Sequence, residues 1–433
     1  MSAPLCCNTG VTDLARVDRL LAAVDGCADE IVEFTSSLIR IPTVNPPGDH
    51  YTECAHLIGQ RLTACGFAVE YVAAEGRPEH TAAHPRVNVI GRRAGRTARP
   101  TVHLNGHFDV VPAGTGWTTD PFGGGVHDGR IYGRGACDMK AGIAAALYAA
   151  EALRRADIPL NGTVEISGTV DEESGGLAGV AYLAAHERLS SAHVDYVIIP
   201  EPLNVDRVCV GHRGVYWFEL ETRGRIAHGS MPFLGVSAID HMAILIDRMQ
   251  RDLLPSLTRR TTTMPVVPDE ARHATLNING IAGGQPVDGI QTPCVADVCR
   301  AVFDRRFLVE EGLDGVRAEI ESLIADATRD VPRLQVTMRD LMVVLPVRTP
   351  DGSPLVGALE RHIQQVLGRP AVQVASPGTY DHKHVDRIGG IKHCVAYGPG
   401  ILDLAHQPDE WCGVEDLLNA TKVLALTLLD LLR

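Results

Sequence analysis

The sequence predicts an α/β protein in which a first domain with a mostly parallel sheet is interrupted by a smaller α+β domain. Two continuous apolar segments, 163–170 and 194–200, have the composition of strands buried on both faces, as in a parallel sheet. They alternate with segments of helical periodicity. From residue 211 the strands alternate apolar and polar residues, which indicates half-exposed strands. We therefore assign residues 1–210 and 341–433 to the first domain and residues 211–340 to the insertion.

Local periodicity and chain breakers predict the elements of the first domain. Apolar residues recur at helical spacing over 11–40, and this pattern ends at segment 41–50, which contains two prolines and a glycine. A glycine- and proline-rich loop covers 112–135. The other predicted elements are helices over 52–65, 140–156, 354–368 and 413–432, and strands over 67–74, 87–93, 101–111, 163–170, 194–200 and 394–400.

The inserted domain has the element order of a ferredoxin-like unit. In chain order we predict strand 214–224, helix 237–254, strands 274–284 and 294–307, helix 313–329 and strand 334–340. This β-α-β-β-α-β order is the one that defines such a unit.

Composition restricts the class of protein. The chain has 433 residues, enough for two domains with sizeable cores, and its net charge of −13 argues against a nucleic-acid partner. No apolar run is long enough to span a bilayer, and the first residues lack the pattern of a secretory signal. Eleven scattered cysteines without a C-x-x-C pair are typical of free thiols in a reducing compartment. We expect a cytoplasmic protein with neither a nucleic acid nor a membrane as partner.

The segment GHFDVV, residues 106–111, is the first candidate for chemistry. It ends an apolar strand and carries His107 and Asp109 two residues apart. In an extended chain these side chains point to the same side. A metal-binding histidine usually donates its other ring N–H to a carboxylate, so this pair offers a ligand and its orienting partner.

Further acidic and imidazole residues lie where strands run into loops, which is the edge at which open α/β sheets bind ligands. These residues are Asp138 in GRGACDMKAG, Glu172 and Glu173 in DEESGG, Glu201 in IPEP and His406 in AHQPDEW. Because adjacent residues of an extended chain face opposite ways, Glu172 and Glu173 can divide metal binding and water activation between them. Simpler interpretations are a helix N-cap for Asp138, a solvated acidic turn for the glutamates and a loop position for His406.

Taken together, these motifs resemble the co-catalytic zinc amidohydrolases that include acetylornithine deacetylase, succinyl-diaminopimelate desuccinylase, aminoacylase and carboxypeptidase G. The resemblance covers nearly the whole chain in matching order. The matching stretches are GHFDVVPAG, GRGACDMKAG, DEESGG, IPEP, GHRG followed by GRIAHGSMP, DRRF, and GPG followed by AHQPDE. It implies a split catalytic domain and an inserted ferredoxin-like domain that acts as lid and dimerisation domain.

The resemblance also implies two divalent metal ions per chain. The implied ligands are His107, Asp138 and Glu201 for one ion, and Asp138, Glu173 and His406 for the other. Three protein ligands with open positions suit catalytic zinc, and the share of carboxylates also admits manganese or cobalt. Glu172 is the implied general base, Asp109 the partner of His107, and the Asp138–Met139 peptide is implied to be cis.

An oxyanion donor is implied in the inserted domain. In the family a histidine of this domain reaches into the partner subunit's site, and the corresponding residue here is His228 in GRIAHGSMP. We therefore expect a homodimer or a higher homo-oligomer formed through the inserted domain. A surface-loop histidine without a catalytic role is the alternative.

Two departures from the family concern substrate binding. The segment PVDGIQTP lacks the asparagine of many relatives, which leaves open whether Asp288 or Gln291 replaces it. The segment GTYDHKH, residues 378–384, carries Lys383 where relatives often carry an arginine. Candidate contacts to the substrate are Arg213, Arg306, Thr379 and Lys383, although either arginine could instead form a structural ion pair.

These residues predict hydrolysis of an amide-type C–N bond, with a small N-acyl amino acid or related carboxylate as the substrate. The altered 378–384 segment keeps other reactions open at the same site: a dipeptidase or carboxypeptidase, a carbamoyl-amide hydrolase, or an aryl-amine aminohydrolase whose aromatic or nitro-bearing substrate meets His382 and His384. A binding homologue without catalysis is disfavoured, because every implied ligand and the implied base are present.

Overall fold

The structure is a computed structural model that describes residues 9–285 and 293–433. Asp288 and Gln291 lie outside these residues. The helices of the described part are α1 Thr9–Asp25, α2 Ala28–Ile39, α3 Tyr51–Ala64, α4 Ala141–Arg155, α5 Val180–Ala185, α6 Ala238–Arg248, α7 Leu254–Leu257, α8 Leu313–Asp330, α9 Pro354–Leu367, α10 His382–Arg387 and α11 Val414–Leu431. The helical pattern over 11–40 forms two helices, because the chain turns at Gly26 and Cys27 between α1 and α2.

The strands of the described part make up one large sheet and two smaller ones. They are β1 Ala68–Ala73, β2 Val87–Ala94, β3 Thr101–His107, β4 Val126–His127, β5 Arg130–Tyr132, β6 Thr163–Thr169, β7 Tyr196–Ile199, β8 Arg207–His212, β9 Gly214–Arg223, β10 Thr275–Gly283, β11 Val298–Phe307, β12 Gln335–Val344, β13 Val347–Arg348, β14 Val372–Ser376, β15 Cys394–Ala396 and β16 Trp411–Gly413.

The chain divides into two compact units. The first contains Met1–Val210, Thr349–Gln373 and Tyr380–Arg433, and the second contains Gly211–Arg348 and Val374–Thr379. The second unit extends beyond the predicted end at residue 340, because β13 pairs with residues 211–212 of the same unit. It also includes residues 374–379, where Ala375 bridges to Val266.

The first unit is built on a mixed sheet with the order β1-β2-β6-β3-β7-β15-β8. Strands β6, β3, β7 and β15 are parallel to one another, whereas β1, β2 and β8 pair in antiparallel fashion at the two sides. Helix α4 is buried along almost its whole length, and its alanines let it pack closely in the main core with α1, α2 and α11. The predicted α/β class with a parallel centre is confirmed.

The second unit is the predicted ferredoxin-like fold. Its four strands have the order β10-β11-β9-β12 and all pair in antiparallel fashion. Residues of α6 and α8 pack with the strands around a core that contains Tyr216, Phe218 and Phe303.

No helix within residues 9–285 and 293–433 combines the length and the apolar character needed to cross a membrane.

Candidate metal-binding active site

Several candidate residues follow neighbouring parallel strands of the first unit. His107 is the last residue of β3, which lies between β6 and β7. Glu172 and Glu173 follow β6, and Glu201 follows β7. Because the carboxyl ends of parallel strands meet at one edge of a sheet, the topology gathers these side chains.

Two groups of three side chains meet at this edge, and Asp138 belongs to both. The groups are His107, Asp138 and Glu201, and Asp138, Glu173 and His406, with one potential ligand atom per residue lying within 4.8 Å of the others in its group. Nε2 of His107 lies 3.1 Å from Oδ1 of Asp138, and Nε2 of His406 lies 3.5 Å from Oδ2 of the same carboxylate. Asp138 therefore presents one oxygen to each imidazole, which is the geometry that a bridging carboxylate needs.

The other carboxylates complete the two groups. Oε1 of Glu201 lies 3.9 Å from Nε2 of His107, and Oε1 of Glu173 lies 3.1 Å from Nε2 of His406. Each group thus offers one imidazole and two carboxylates, a set that suits zinc and also manganese or cobalt. All five residues belong to the first unit.

Asp138 lies in the turn 136–140, and its peptide bond to Met139 is cis. It does not cap the following helix, because α4 begins at Ala141 and no side chain caps it. The turn is held by Glu410, whose Oε1 accepts hydrogen bonds from the backbone N–H groups of Gly135, Cys137 and Asp138 at 3.1, 2.8 and 3.0 Å.

Sequence reasoning missed Glu410. Its fully buried carboxylate also pairs with Arg134, which is 1% exposed. The only sequence feature that points to Glu410 is its place in the AHQPDE motif, four residues after His406. An acidic residue in a loop is usually exposed, so only the three-dimensional contact identifies its partners.

The carboxylate of Asp109 lies closer to the loop that carries the two glutamates than to the imidazole of His107. Its carboxylate oxygens accept hydrogen bonds from the backbone N–H groups of Glu172 and Glu173 at 3.1 and 3.2 Å, and from Nδ2 of Asn45 at 2.9 Å. Nδ1 of His107 donates to the backbone carbonyl of Asp109 at 3.0 Å, while the nearest carboxylate oxygen lies at 3.5 Å. Backbone and carboxylate of one residue thus orient the imidazole and the glutamate loop.

The electrostatics of the cluster favour a bound cation. Burial raises the pKa of Glu173 to about 7 and that of Glu201 well above its usual range, and the charge of Asp138 adds to both effects. Burial also acts to raise the pKa of Asp138, but hydrogen bonds with His107 and His406 outweigh it and lower that pKa. A divalent ion among these carboxylates would compensate their mutual repulsion and favour their charged forms.

The 380–384 part of the altered segment contacts the glutamate loop. Nζ of Lys383 lies 3.5 Å from Oε1 of Glu172, and Nε2 of His384 donates to the carbonyl of Gly175 at 2.7 Å. His382 is buried beside Tyr380, with Nδ1 at 3.3 Å from the phenol oxygen. Burial lowers the pKa of each of these two histidines to about 4, so both are neutral at pH 7.

The remaining candidates belong to the second unit, and both arginines have partners there. The guanidinium of Arg213 donates to the carbonyls of His273 and Pro377. Burial lowers the pKa of Arg213 to about 10, and the neighbouring charge of Arg306 acts in the same direction. Arg306 binds both oxygens of Asp304, through Nε at 2.8 Å and Nη2 at 3.0 Å.

His228 and Thr379 complete the second-unit candidates. Thr379 is half-buried and His228 is exposed. The backbone N–H of Ser230 donates to Nδ1 of His228 at 3.1 Å, so the neutral ring carries its proton on Nε2.

Comparison with known proteins supports the resemblance seen in the motifs. A family model described as peptidase family M20/M25/M40 matches residues 103–430. Succinyl-diaminopimelate desuccinylase of Psychrobacter arcticus is 27% identical over 409 residues, 93% of this chain and 95% of that protein. The match to these amidohydrolases confirms the family expected from the sequence.

Solved structures of other proteins share the fold. Aminopeptidase PepT from Bacillus cereus superposes with a TM-score of 0.74 at 21% identity, covering 94% of this chain and 99% of that one. Human carnosine dipeptidase 1 superposes with a TM-score of 0.69 at 19% identity, covering 96% and 99%. At these identities the likeness concerns the fold.

Proposed function

The chain belongs to peptidase family M20/M25/M40 and is a metal-dependent hydrolase of amide or peptide bonds, and we propose that it removes the acyl group from a small N-acyl amino acid or a related carboxylate. The observation that carries this proposal is the position of Asp138 between two ligand groups, with Glu172 next in sequence to one of the ligands. Relatives named succinyl-diaminopimelate desuccinylase support the acyl-amide bond as the target.

The proposed metal ligands are the two groups that share Asp138. His107, Asp138 and Glu201 would hold one ion, and Asp138, Glu173 and His406 the other. When bound, the two ions would polarise the scissile carbonyl and lower the pKa of the attacking water. Zinc is the proposed metal, with manganese and cobalt as alternatives that the donor set also accepts.

Glu172 is the proposed general base. It accepts the proton of the attacking water and delivers it to the leaving nitrogen, so the nitrogen departs as a neutral amine. Asp109 supports this role, because its carboxylate fixes the backbone N–H groups of Glu172 and Glu173. The side chain of Glu172 is 12% exposed, so it is shielded from bulk water without being sealed off.

His228 is the proposed donor to the oxyanion of the tetrahedral intermediate. The N–H of Ser230 fixes the tautomer that leaves a proton on Nε2, and such a donor stabilises developing negative charge. As in the family, we assign this contact to the partner subunit's site, which makes a homo-oligomer the active form. Arg213, Arg306 and Thr379 are proposed contacts to the substrate.

A dipeptidase is the second candidate, since the fold is shared with human carnosine dipeptidase 1. A substrate panel separates the two functions. Purified enzyme loaded with Zn²⁺, Mn²⁺ or Co²⁺ is assayed with N-acetyl and N-succinyl amino acids, N-carbamoyl amino acids, dipeptides and aryl amines. We expect kcat/KM for the best acyl amino acid to exceed that for the best dipeptide by about tenfold or more. A preference for dipeptides, carbamoyl amides or aryl amines would contradict the proposed deacylation.

A further inference from the structure

The segment 381–384 contacts the glutamate loop and the central strand at three separate points. Oδ2 of Asp381 accepts a hydrogen bond from Nδ2 of Asn105 on β3 at 3.2 Å. His384 donates to the carbonyl of Gly175 at 2.7 Å, and Lys383 pairs with Glu172. These contacts tie a segment near the end of the chain to the loop that carries the proposed general base.

The two segments approach each other closely at Gly176, whose φ of +74° lies in the left-handed region. A Cβ at this position would lie 2.6 Å from Oδ1 of Asp381 and 3.1 Å from Cδ2 of His384. Gly176 therefore permits an approach that a larger residue would prevent.

The ammonium group of Lys383 forms an ion pair with the carboxylate of Glu172. Its side chain is 8% exposed, and Nζ lies 3.5 Å from Oε1 of Glu172. A buried ammonium is costly unless a carboxylate compensates its charge, so loss of this partner would be unfavourable. In addition, lysine presents a compact charge rather than the planar fork with which arginine binds a carboxylate in bidentate fashion.

We propose that Lys383 is a positioning residue that holds the carboxylate of Glu172 in its catalytic orientation, and that it does not anchor the carboxylate of the substrate. His384 also stabilises this loop, because its hydrogen bond to the carbonyl of Gly175 fixes the turn that follows Glu172 and Glu173. This inference rests on the proposed function, in which Glu172 moves the proton.

A double-mutant cycle tests the inference. The variants are Lys383→Met, Glu172→Gln and their combination, each assayed with the best acyl amino acid of the panel and with its amidated analogue. Lys383→Met should lower kcat by roughly ten- to a hundredfold, because a small displacement of a catalytic group is expensive, while KM changes by less than about threefold. Glu172→Gln should lower kcat by about 10² to 10⁴. In the Glu172→Gln background, Lys383→Met should add less than about a twofold loss, because a group that acts through Glu172 has nothing left to position.

Control variants separate charge from packing. Lys383→Arg keeps the charge and should recover part of the kcat lost in Lys383→Met. Lys392→Met is the matched control, since Lys392 pairs with Asp386 of α10 at 3.0 Å and should leave kcat unchanged. Metal content of every variant should equal that of the native enzyme, and thermal unfolding should show that every variant is folded at the assay temperature; Lys383→Gln replaces Lys383→Met if the latter does not fold.

Two results would overturn the positioning role while leaving the proposed function intact. One is a double variant whose loss of kcat equals the product of the losses in Lys383→Met and Glu172→Gln, as expected for two residues that act independently. The other is a rise in KM of Lys383→Met that is confined to the carboxylate substrate and absent for its amide. If Glu172→Gln keeps native kcat with native metal content, the proposed general base itself is wrong, and the inference falls with it.

Discussion

Oε1 of Glu410 accepts a hydrogen bond from the backbone N–H of Asp138 at 3.0 Å, so a fully buried carboxylate fixes the peptide of the residue that both ligand groups share. Because the same oxygen also binds the N–H groups of Gly135 and Cys137, Glu410 organises the whole turn. Glu410 would therefore affect metal binding only indirectly, by fixing the position of the proposed ligand Asp138.

We predict that Glu410→Gln weakens metal binding by roughly ten- to a hundredfold, as is typical when a group that orients a ligand is altered. The variant also leaves Arg134 without its charge partner and should unfold at a lower temperature. Chelator competition measures the affinity, and calorimetry measures the unfolding temperature. Asp409→Asn is the matched control, because this half-buried neighbour binds Thr118 and Thr119 rather than the turn. Native metal affinity in Glu410→Gln would contradict the assignment.

A second prediction concerns the number of metal ions. The native enzyme should bind about two divalent ions per chain, as the two ligand groups imply. His406→Ala removes a ligand from one group only and should retain about one ion. Asp138→Ala removes a ligand from both groups and should retain less than one, with the larger loss of activity. Elemental analysis after dialysis provides the counts, and Asp403→Ala, at an exposed position near His406, is the control. Full activity of metal-free, chelator-treated enzyme would refute the metal site.

The site could be predicted from sequence as far as strand order determines it. His107, Glu173 and Glu201 follow parallel strands, and the shared edge of such strands brings them together whatever the details of packing. The contacts of Glu410 and of Asp381 could not be predicted in this way. Asp381 and Asn105 are separated by 276 residues, and only the folded chain brings such positions within hydrogen-bond distance.

The fold likewise divides into features that local sequence pattern predicts and features that depend on long-range contacts. The ferredoxin-like order was visible in the periodicity, whereas the break between α1 and α2 was not, because apolar spacing continues across Gly26 and Cys27. The extension of the second unit past residue 340 depends on the pairing of β13 with residues 211–212, a long-range contact that local pattern does not record.

The pH dependence of stability should report the titration of His384, the half-buried histidine that contacts the glutamate loop. Burial lowers the pKa of His384 to about 4, while an unfolded histidine titrates near 6.5. Between these values the unfolded state binds more protons than the folded state, so stability falls as the pH drops from about 6.5 to about 4. His384→Gln keeps a donor for the carbonyl of Gly175 but does not titrate. The loss of unfolding free energy between pH 7 and pH 4.5 should then shrink by about 2 to 3 kcal/mol.

Urea titrations of chelator-treated protein measure this difference, since metal release then makes no contribution. An unchanged loss in His384→Gln would show that His384 takes up its proton in the folded protein as readily as in the unfolded chain.

The proposed role of His228 requires an oligomer. If its Nε2 donates into the partner subunit's site, the inactive variants His228→Ala and Glu172→Gln should restore activity to each other in mixed oligomers. One site of such a dimer then contains both an intact base and an intact donor, so up to about half the native activity is expected. The assay follows activity after co-expression with two different affinity tags and purification of the mixed species. Verified mixed oligomers without recovered activity would place His228 in its own chain's site or outside catalysis.

The last prediction concerns the charge of the substrate and uses Arg306 of β11. Its guanidinium binds both oxygens of Asp304, so any substrate carboxylate must share this cation with an acidic residue of the same strand. If Arg306 does contact the substrate, a charge-assisted bond is worth about 1.5 to 3 kcal/mol. Arg306→Ala should then lower kcat/KM for a carboxylate substrate by roughly ten- to a hundredfold.

The native enzyme should also prefer the carboxylate over its amidated analogue, and this preference should shrink in Arg306→Ala because the anchor is already absent. Arg300 lies on the same strand as Arg306 and pairs with Glu221 of β9, and Arg300→Ala should leave both values unchanged. Equal turnover of carboxylate and amide by the native enzyme would instead assign Arg306 to a structural ion pair with Asp304, a role like the one proposed for Lys383, whose charge would then stabilise the protein rather than bind the substrate.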